Sequence, residues 1–379
     1  MDSKLAITRC FSYSQKEVYD SLRESIELLG GIRSFVKKGD NVLIKPNLLS
    51  GNSPEKAVTT HPQVIWAIIK LVKEAGGIPR VGDSPGIGSL EKVTKKTGVK
   101  QILEEMQVPL AEFNRTVEVE NRTGHIFKQF EIAKAVMEAD LVINVPKLKT
   151  HGQMLLSLAV KNIFGCIVGT NKAKWHLKAG INRLFFAQML LDLYLAINPG
   201  LTVVDGIIGM EGEGPSKGTP REIGLIISGS NCVAIDVVIG EILGINKEDL
   251  PTTKAAMIRG LPGIDLQAID IRGEKLEKIK VKNFILSSVH HVGWNLPGFL
   301  SSFILDLISS KPSIDLKKCV SCGACIESCP PRTMELLNEK VVIDYKKCIR
   351  CYCCHELCPQ GAVKIEPSLV RKLNPFSNH

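Results

Sequence analysis

Cys319, Cys322, Cys325 and Cys329 are followed by Pro330, and Cys348, Cys351, Cys354 and Cys358 are followed by Pro359. Both sets read C-x2-C-x2-C-x3-C-P, and their flanks repeat too: Ile314-Asp-Leu-Lys-Lys318 precedes the first and Ile343-Asp-Tyr-Lys-Lys347 the second. The segment is a duplicated half-unit. Three thiolates two residues apart wrap a tight loop around one iron–sulfur cubane, while the fourth cysteine leads away and ligates its neighbour. The spacing therefore predicts two [4Fe–4S] clusters with crossed ligation. Cys319, Cys322, Cys325 and Cys358 hold one; Cys348, Cys351, Cys354 and Cys329 hold the other. Zinc sites built from CxxC pairs have no use for the third spaced cysteine or the terminal Cys-Pro.

The remaining cysteines fit no such pattern. Of twelve in the chain, nine fall between Cys319 and Cys358. Such crowding in a reducing compartment argues for metal rather than disulfides. Cys353 lies outside both motifs and reads as a spare small residue, the alternative being a substitute cluster ligand. Cys10, Cys166 and Cys232 have no partner at metal spacing, and Cys232 reads as core.

The rest of the chain has a different texture. Val42-Leu-Ile44, Ile78 to Val81, Leu141 to Val145, Leu201 to Val204 and Leu225 to Ile227 are short apolar runs of strand type. Between them, Val64, Ile68, Leu71 and Ala75 recur at helical spacing after Pro62, Ile181 to Ile197 reads as a long helix, and Cys232 to Leu243 as a buried one. Helical spacing also resumes from about Gln153. Strands alternating with helices predict an α/β fold, a mostly parallel sheet with helices on both faces. A small α+β cluster domain follows it. The expected organisation is an α/β domain over 1–285, an amphipathic linker over 286–312, the cluster domain over 313–368 and a tail over 369–379. In the linker, Leu300, Phe303, Ile304 and Leu307 fall on one helical face. That face suits a strut between the domains or, with Trp294 and Phe299, a peripheral membrane contact.

Charge and targeting narrow the class. The formal net charge is +9, but Lys and Arg are interspersed with acids, so nucleic acid is not expected as a partner. The start of the sequence carries no apolar run of signal-peptide length, and no run long enough to span a bilayer occurs, so a cytoplasmic location without a transmembrane segment is expected. Gly86-Ile-Gly88 lacks the third glycine of a dinucleotide fingerprint.

In an open α/β sheet, ligands bind beyond the carboxyl ends of the strands. Here those ends run into Lys45-Pro-Asn47, Gly82-Asp83-Ser84, Lys147-Leu-Lys149-Thr-His151 and Asp205-Gly206, the last continuing to Glu211. Lys45, Lys147, Lys149 and His151 would make one edge cationic, with Asp83, Asp205 and Glu211 as acids. Lys45, Asp83, Lys147, His151 and His176 are the candidate catalytic residues. An anionic small molecule and proton transfer suit such a mixture. Thr60-His61-Pro62 reads as a helix N-cap followed by Pro at the first helical position, with a ligand role for His61 as the alternative.

The cysteine-rich part resembles bacterial-type two-cluster ferredoxins at every ligand position. Val42-Leu-Ile-Lys-Pro-Asn47, Thr60-His-Pro62, Val81-Gly-Asp-Ser-Pro-Gly86, Asn144-Val-Pro-Lys-Leu-Lys-Thr-His151, Lys161-Asn-Ile-Phe-Gly165 and Val204-Asp-Gly206 to Gly214-Pro215 together resemble the domain-of-unknown-function family 362. Its members are bacterial and archaeal, and many carry a C-terminal two-cluster ferredoxin. The resemblance implies the cluster ligands and assigns no catalytic roles. The reading is an oxidoreductase that takes electrons from a soluble donor, or passes them to an acceptor, and reduces a bound anion. Two rivals stand beside it: an electron carrier whose α/β domain docks a redox partner, and a non-redox or metal-handling protein with structural clusters.

Overall fold

The computed structural model describes residues 3–169, 171–180, 182–287 and 310–366. The five apolar runs become strands of one sheet, β2 (Asn41–Pro46), β3 (Ile78–Val81), β6 (Leu141–Val145), β9 (Leu201–Glu211) and β10 (Thr219–Gly229), and two strands that the sequence reading did not name, β1 (Lys4–Arg9) and β11 (Asp270–Gly273), join them. A separate antiparallel hairpin, β4 (Thr116–Glu120) and β5 (Gln129–Ala133), stands outside it. The order is β11-β1-β10-β9-β6-β2-β3, with β7 (Lys147–His151) added to β9 and β8 (Leu155–Ser157) to β7. The β2–β3, β2–β6, β6–β9, β7–β9 and β1–β11 pairings are parallel, and β1–β10, β9–β10 and β7–β8 antiparallel. The sheet is thus mixed and mostly parallel.

Both of its faces are covered, as the period of two along each strand requires. Leu43, Val204, Leu225 and Ile227 join one apolar core with residues of the helices Arg183–Ile197 and Cys232–Leu243. Their neighbours Val42, Ile44, Val203 and Ile226 join a second core with the helices Gln15–Glu27 and Pro62–Glu74. Helix Pro62–Glu74 begins as its sequence directs: Pro62 takes the first turn, and His61 caps it by accepting the Gln63 N–H at 3.2 Å on Nδ1.

The expected helical segment from Gln153 is a correction. The chain leaves β6 through Pro146 and forms β7 and β8 before the short helix Ala159–Asn162. The long strand β9 explains this. It pairs first with β6, through Ile143–Leu201 and Asn144–Thr202, and further on with β7, through Lys147–Asp205 and Lys149–Met210. The Asp205 N–H donates to the Pro146 carbonyl at 2.9 Å, carrying the ladder past the proline. The register slips between Lys147 and Lys149.

The cysteine-rich part is a small α+β unit. β12 (Lys311–Ile314) pairs with β15 (Val363–Glu366), and β13 (Met334–Leu337) with β14 (Lys340–Ile343), both antiparallel. The sequence repeat persists in the backbone. Ser321 and Arg350 take φ of 53° and 50°, Gly323 and Tyr352 of 77° and 58°, and each half then enters a short helix, Ala324–Glu327 or Cys353–Glu356. The unit docks on the α/β body through Ser216, whose hydroxyl donates to the Glu356 carbonyl at 2.6 Å, and Lys217, whose ammonium donates to the Val363 carbonyl at 3.2 Å. A Cβ on Gly86 would lie 2.9 Å from Leu357 Cδ2, so glycine lets the two surfaces meet. The amphipathic segment 298–308 and the tail 369–379 lie outside the described residues.

Candidate functional site

Two small cavities open among the cysteines. Cys319, Cys322, Cys325 and Cys358 line one; Cys329, Cys348, Cys351 and Cys354 line the other. Each cavity takes three cysteines from one motif and the last from the other. Among the described residues no group of His, Cys, Asp and Glu side chains converges tightly enough for a single metal ion. Thiols arrayed around a cavity in this way suit a core several atoms across. Backbone N–H groups already face sulfur: Thr333 N–H donates to Cys329 Sγ at 3.3 Å, and Ala362 N–H to Cys358 Sγ at 3.2 Å, contacts of the kind that tune cluster potential. These residues fit [4Fe–4S] groups. Cys353 does not line either cavity. It occupies the first position of its helix, where the other half has Ala324, and faces elsewhere.

It faces a cleft of about 340 Å³ between the α/β body and the cluster unit. The body contributes Lys45 from β2, Asp83 and Ser84 after β3, Lys149 and His151 from β7, Lys161 from the helix Ala159–Asn162, and Lys172 and His176 from the helix Asn171–Ala179. The cluster unit closes the opposite wall with Glu327, Ser328, Pro330, Cys353, Glu356 and Leu357. Pro330 and Cys353 are chain neighbours of cluster-cavity cysteines. Gly165 keeps the floor open, because a Cβ there would stand 2.1 Å from Asp83 Oδ1 and 2.6 Å from Lys45 Nζ.

The lysines differ in how they are satisfied. Lys45 is wholly buried and pairs with Asp83 at 2.7 Å, while the other Asp83 oxygen accepts the Leu48 N–H at 2.7 Å. Lys149 donates to Asn47 Oδ1 at 2.9 Å and to the Val58 carbonyl. Lys172 donates to Ser84 Oγ at 2.8 Å, to the Pro85 carbonyl at 3.2 Å and to the Ser84 carbonyl. Lys161 lies over the Phe164 and Phe186 rings at 4.7 and 5.7 Å, and meets no carboxylate within salt-bridge distance among the described residues. Burial disfavours the charged form. It pulls the Lys149 and Lys172 ammonium groups down to about 7 and lowers Lys161 as well.

The acid and the histidines are shifted by the same cause. Burial pushes the Glu356 carboxyl up to about 7, against the pull of Lys161 and Lys149. His151 Nδ1 accepts N–H groups from Gln153 and Met154 at 3.1 and 3.2 Å, so the proton of its neutral ring sits on Nε2, 3.3 Å from Glu356 Oε1. Burial holds His151 well below the ordinary histidine range and His176 down to about 3. His176 stacks on Phe186 with centroids 4.6 Å apart.

Of the sequence candidates, Lys45, Asp83, His151 and His176 meet in this cleft, and Lys147 does not. Its ammonium sits 2.9 Å from Asp205 Oδ2 and donates to Tyr13 Oη at 2.7 Å. Asp205 also accepts from Tyr13 Oη at 2.8 Å and from the His61 N–H at 2.9 Å, and the Tyr13 and His61 rings stack at 3.5 Å. This is a second, closed polar cluster. Burial lowers His61 to about 4. Glu211 pairs with Arg221 at 3.5 Å and also lines no part of the cleft. Lys161, Lys172, Ser84 and Glu356 join the cleft although sequence reasoning gave them no catalytic role. The Lys161-Asn162 pair was its nearest signal.

Comparisons with known proteins agree with this division. A 4Fe-4S dicluster domain matches residues 311–359, so the chain carries a ferredoxin-type [4Fe–4S] domain of the kind that transfers electrons. The thylakoid-associated protein sll1697 of Synechocystis sp. is 41% identical over 261 residues, which is 69% of this chain and 81% of that protein. Among solved structures, the lactate racemase apoprotein from Thermoanaerobacterium thermosaccharolyticum is similar at a TM-score of 0.38 and 15% identity, over 61% of this chain and 54% of that one, so the chain spans about half of its length. The family model described as Domain of unknown function (DUF362) matches residues 42–241, more than half of the chain, and the protein belongs to that family.

Proposed function

We propose that the protein is an iron–sulfur oxidoreductase that reduces an anionic small molecule held in the cleft. In this reading it carries two [4Fe–4S] clusters, one on Cys319, Cys322, Cys325 and Cys358 and one on Cys348, Cys351, Cys354 and Cys329. When bound, they supply electrons one at a time. The observation that carries the reading is the shared wall. Cys353 and Pro330, beside cluster-cavity cysteines, close the same cleft that Lys45, Lys149, Lys161 and Lys172 line. A docking module would need no such enclosed cationic space.

The chain's own groups have distinct parts. Lys149, Lys161 and Lys172 attract the anion, and burial strengthens that attraction by excluding water. Lys45 is fixed by Asp83 and shapes the floor. His151, neutral with its proton on Nε2, offers an N–H to the cleft, and Lys149 and Lys172 hold protons that can leave near neutral pH. A soluble electron donor or acceptor is the expected partner and the cytoplasm the expected place. The name of the Synechocystis relative adds peripheral membrane contact as a proposal, for which vesicle flotation is the test. Among the described residues no helix is long and apolar enough to cross a membrane.

The test pairs two variants of the anaerobically loaded protein against a panel of anionic metabolites. Lys161→Met should lose ligand binding while keeping iron and sulfide; Cys354→Ser should keep binding and lose reductive turnover. Turnover that survives cluster loss would sink the redox reading in favour of a non-redox enzyme. A protein that binds no small anion yet passes electrons normally is a carrier.

A further inference from the structure

We propose, resting on the reading of the cleft as an anion site, that its ligand is a small dianion with an acidic group at each end, one met by Ser84 backed by Lys172 and the other by Lys149. The charge balance comes first. Lys45 is neutralised by Asp83 at 2.7 Å. That leaves Lys149, Lys161 and Lys172 facing one buried carboxylate, Glu356, with Glu327 out at the exposed rim. With the three lysines protonated and Glu356 ionised, the space carries two more positive charges than negative ones, and a dianionic ligand would supply the partners that buried charge requires.

The donors are arranged at two ends. Ser84 Oγ accepts from Lys172 Nζ at 2.8 Å and from the Gly169 N–H at 3.0 Å, so its own hydroxyl proton is free to point at a ligand oxygen, with an ammonium directly behind it. Lys149 spends two of its three N–H donors on Asn47 and Val58 and keeps one. The sheet sets the two ends apart: Ser84 follows β3, while Lys149 lies on β7, which continues from β6, so the two approach the cleft from either side of β2, where Asp83 meets Lys45 and Lys149 meets Asn47. Lys161 lines the same cleft from the helix Ala159–Asn162. Its ammonium rests over the Phe164 and Phe186 rings and feels the charge of Glu356. A cleft of about 340 Å³ stands at the small end of ligand sites, which suits a short dicarboxylate or a compact phosphate ester rather than a dinucleotide.

Calorimetry on the iron-loaded full chain at pH 6.5, with succinate, glutarate, inorganic phosphate and butyrate as probes, tests this. A two-ended site should bind succinate or glutarate at least about ten-fold tighter than butyrate or phosphate. Ser84→Ala and Lys149→Met should each erase that margin, since one hydrogen bond to a charged group is worth about ten- to a hundred-fold. Butyrate or phosphate binding as tightly as the dicarboxylates would overturn the two-ended site while leaving an anion cleft in place. If none of the four acids binds, the anion reading itself falls, and this proposal with it. The wild-type series decides even where a variant fails to fold.

Discussion

The α/β body and the cluster unit reach order by opposite means. The body buries two continuous apolar cores, one on each face of its sheet, and pairs two of its buried lysines within itself, Lys45 with Asp83 and Lys147 with Asp205. The cluster unit's apolar core is small, formed by Cys325, Met334, Val341, Cys354 and Val363, and three cysteines of the cluster cavities, Cys325, Cys351 and Cys354, are buried in the unit. Meanwhile Val320, Leu316 and Leu337 stay at least half exposed. A core so small rarely suffices below about 70–80 residues without a metal or another staple. One region is thus folded by its side chains and the other by what its cysteines hold.

The largest expected effect separates the two regions outright. Anaerobic iron chelation should unfold the cluster unit completely and leave the body with a cooperative transition of its own. Hydrogen exchange reads both at once: amides of β12 to β15 should exchange freely while those of β2, β6 and β9 stay protected. Protection of β13 and β14 that survives chelation would break the comparison.

Next in size comes the body's own buried charge. Asp83→Asn would leave the wholly buried Lys45 ammonium without its partner, and breaking such a pair costs about 3–5 kcal/mol. Denaturant unfolding should show the loss in the body with iron content unchanged. A cost below about 1 kcal/mol would mean that water or another group reaches Lys45, and that the floor of the cleft is less dry than its packing implies.

How far the sequence foretold these regions follows the same division. Cysteine spacing is local, so the crossed sets could be read directly, and the apolar runs gave the strands because most are buried on both faces, the edge strand β3 alternating instead. The cleft was half legible. Lys45, Asp83 and His151 sit at strand ends, where an open sheet gathers its ligands. Lys147 misled because it follows the same strand end as Lys149 and His151, and strand ends were expected to converge, whereas the segment forms β7. The register slip after Lys147 sends it to Asp205 instead, and nothing in the local sequence announces a slip. Glu356 and Cys353 were illegible for a different reason: they enter the cleft only because the two regions dock.

The pH response above pH 7 should sharpen the comparison, because the lysines that drive it sit on the body. Lys149 and Lys172 fall from 10.5 to about 7 on folding. Between pH 7 and 10.5 the unfolded chain binds protons that the native one does not, so the body's stability should climb with pH across that window. Anion affinity should run the other way, strong below pH 7 and fading above it as the ammonium groups deprotonate. Lys149→Met and Lys172→Met should each flatten both slopes. Parallel slopes would mean that the two lysines do not face the ligand.

The smallest effect tests the seam on which the cleft depends. Ser216 Oγ donates to the Glu356 carbonyl at 2.6 Å, next to the carboxylate that faces His151 and Lys161. Ser216→Ala removes one neutral hydrogen bond, worth about 0.5–1.5 kcal/mol, and leaves both regions folded because neither core contains the residue. The stability of the isolated transitions should therefore barely move. Anion affinity should drop by a factor of a few, since the wall carrying Cys353 and Glu356 is held less firmly over the lysines. The discriminating readout is exchange at the Glu356 and Leu357 amides, which should quicken while β12 to β15 remain unchanged. If affinity stays put while those amides quicken, the wall does not shape the ligand site, and the two regions share a surface without sharing a function.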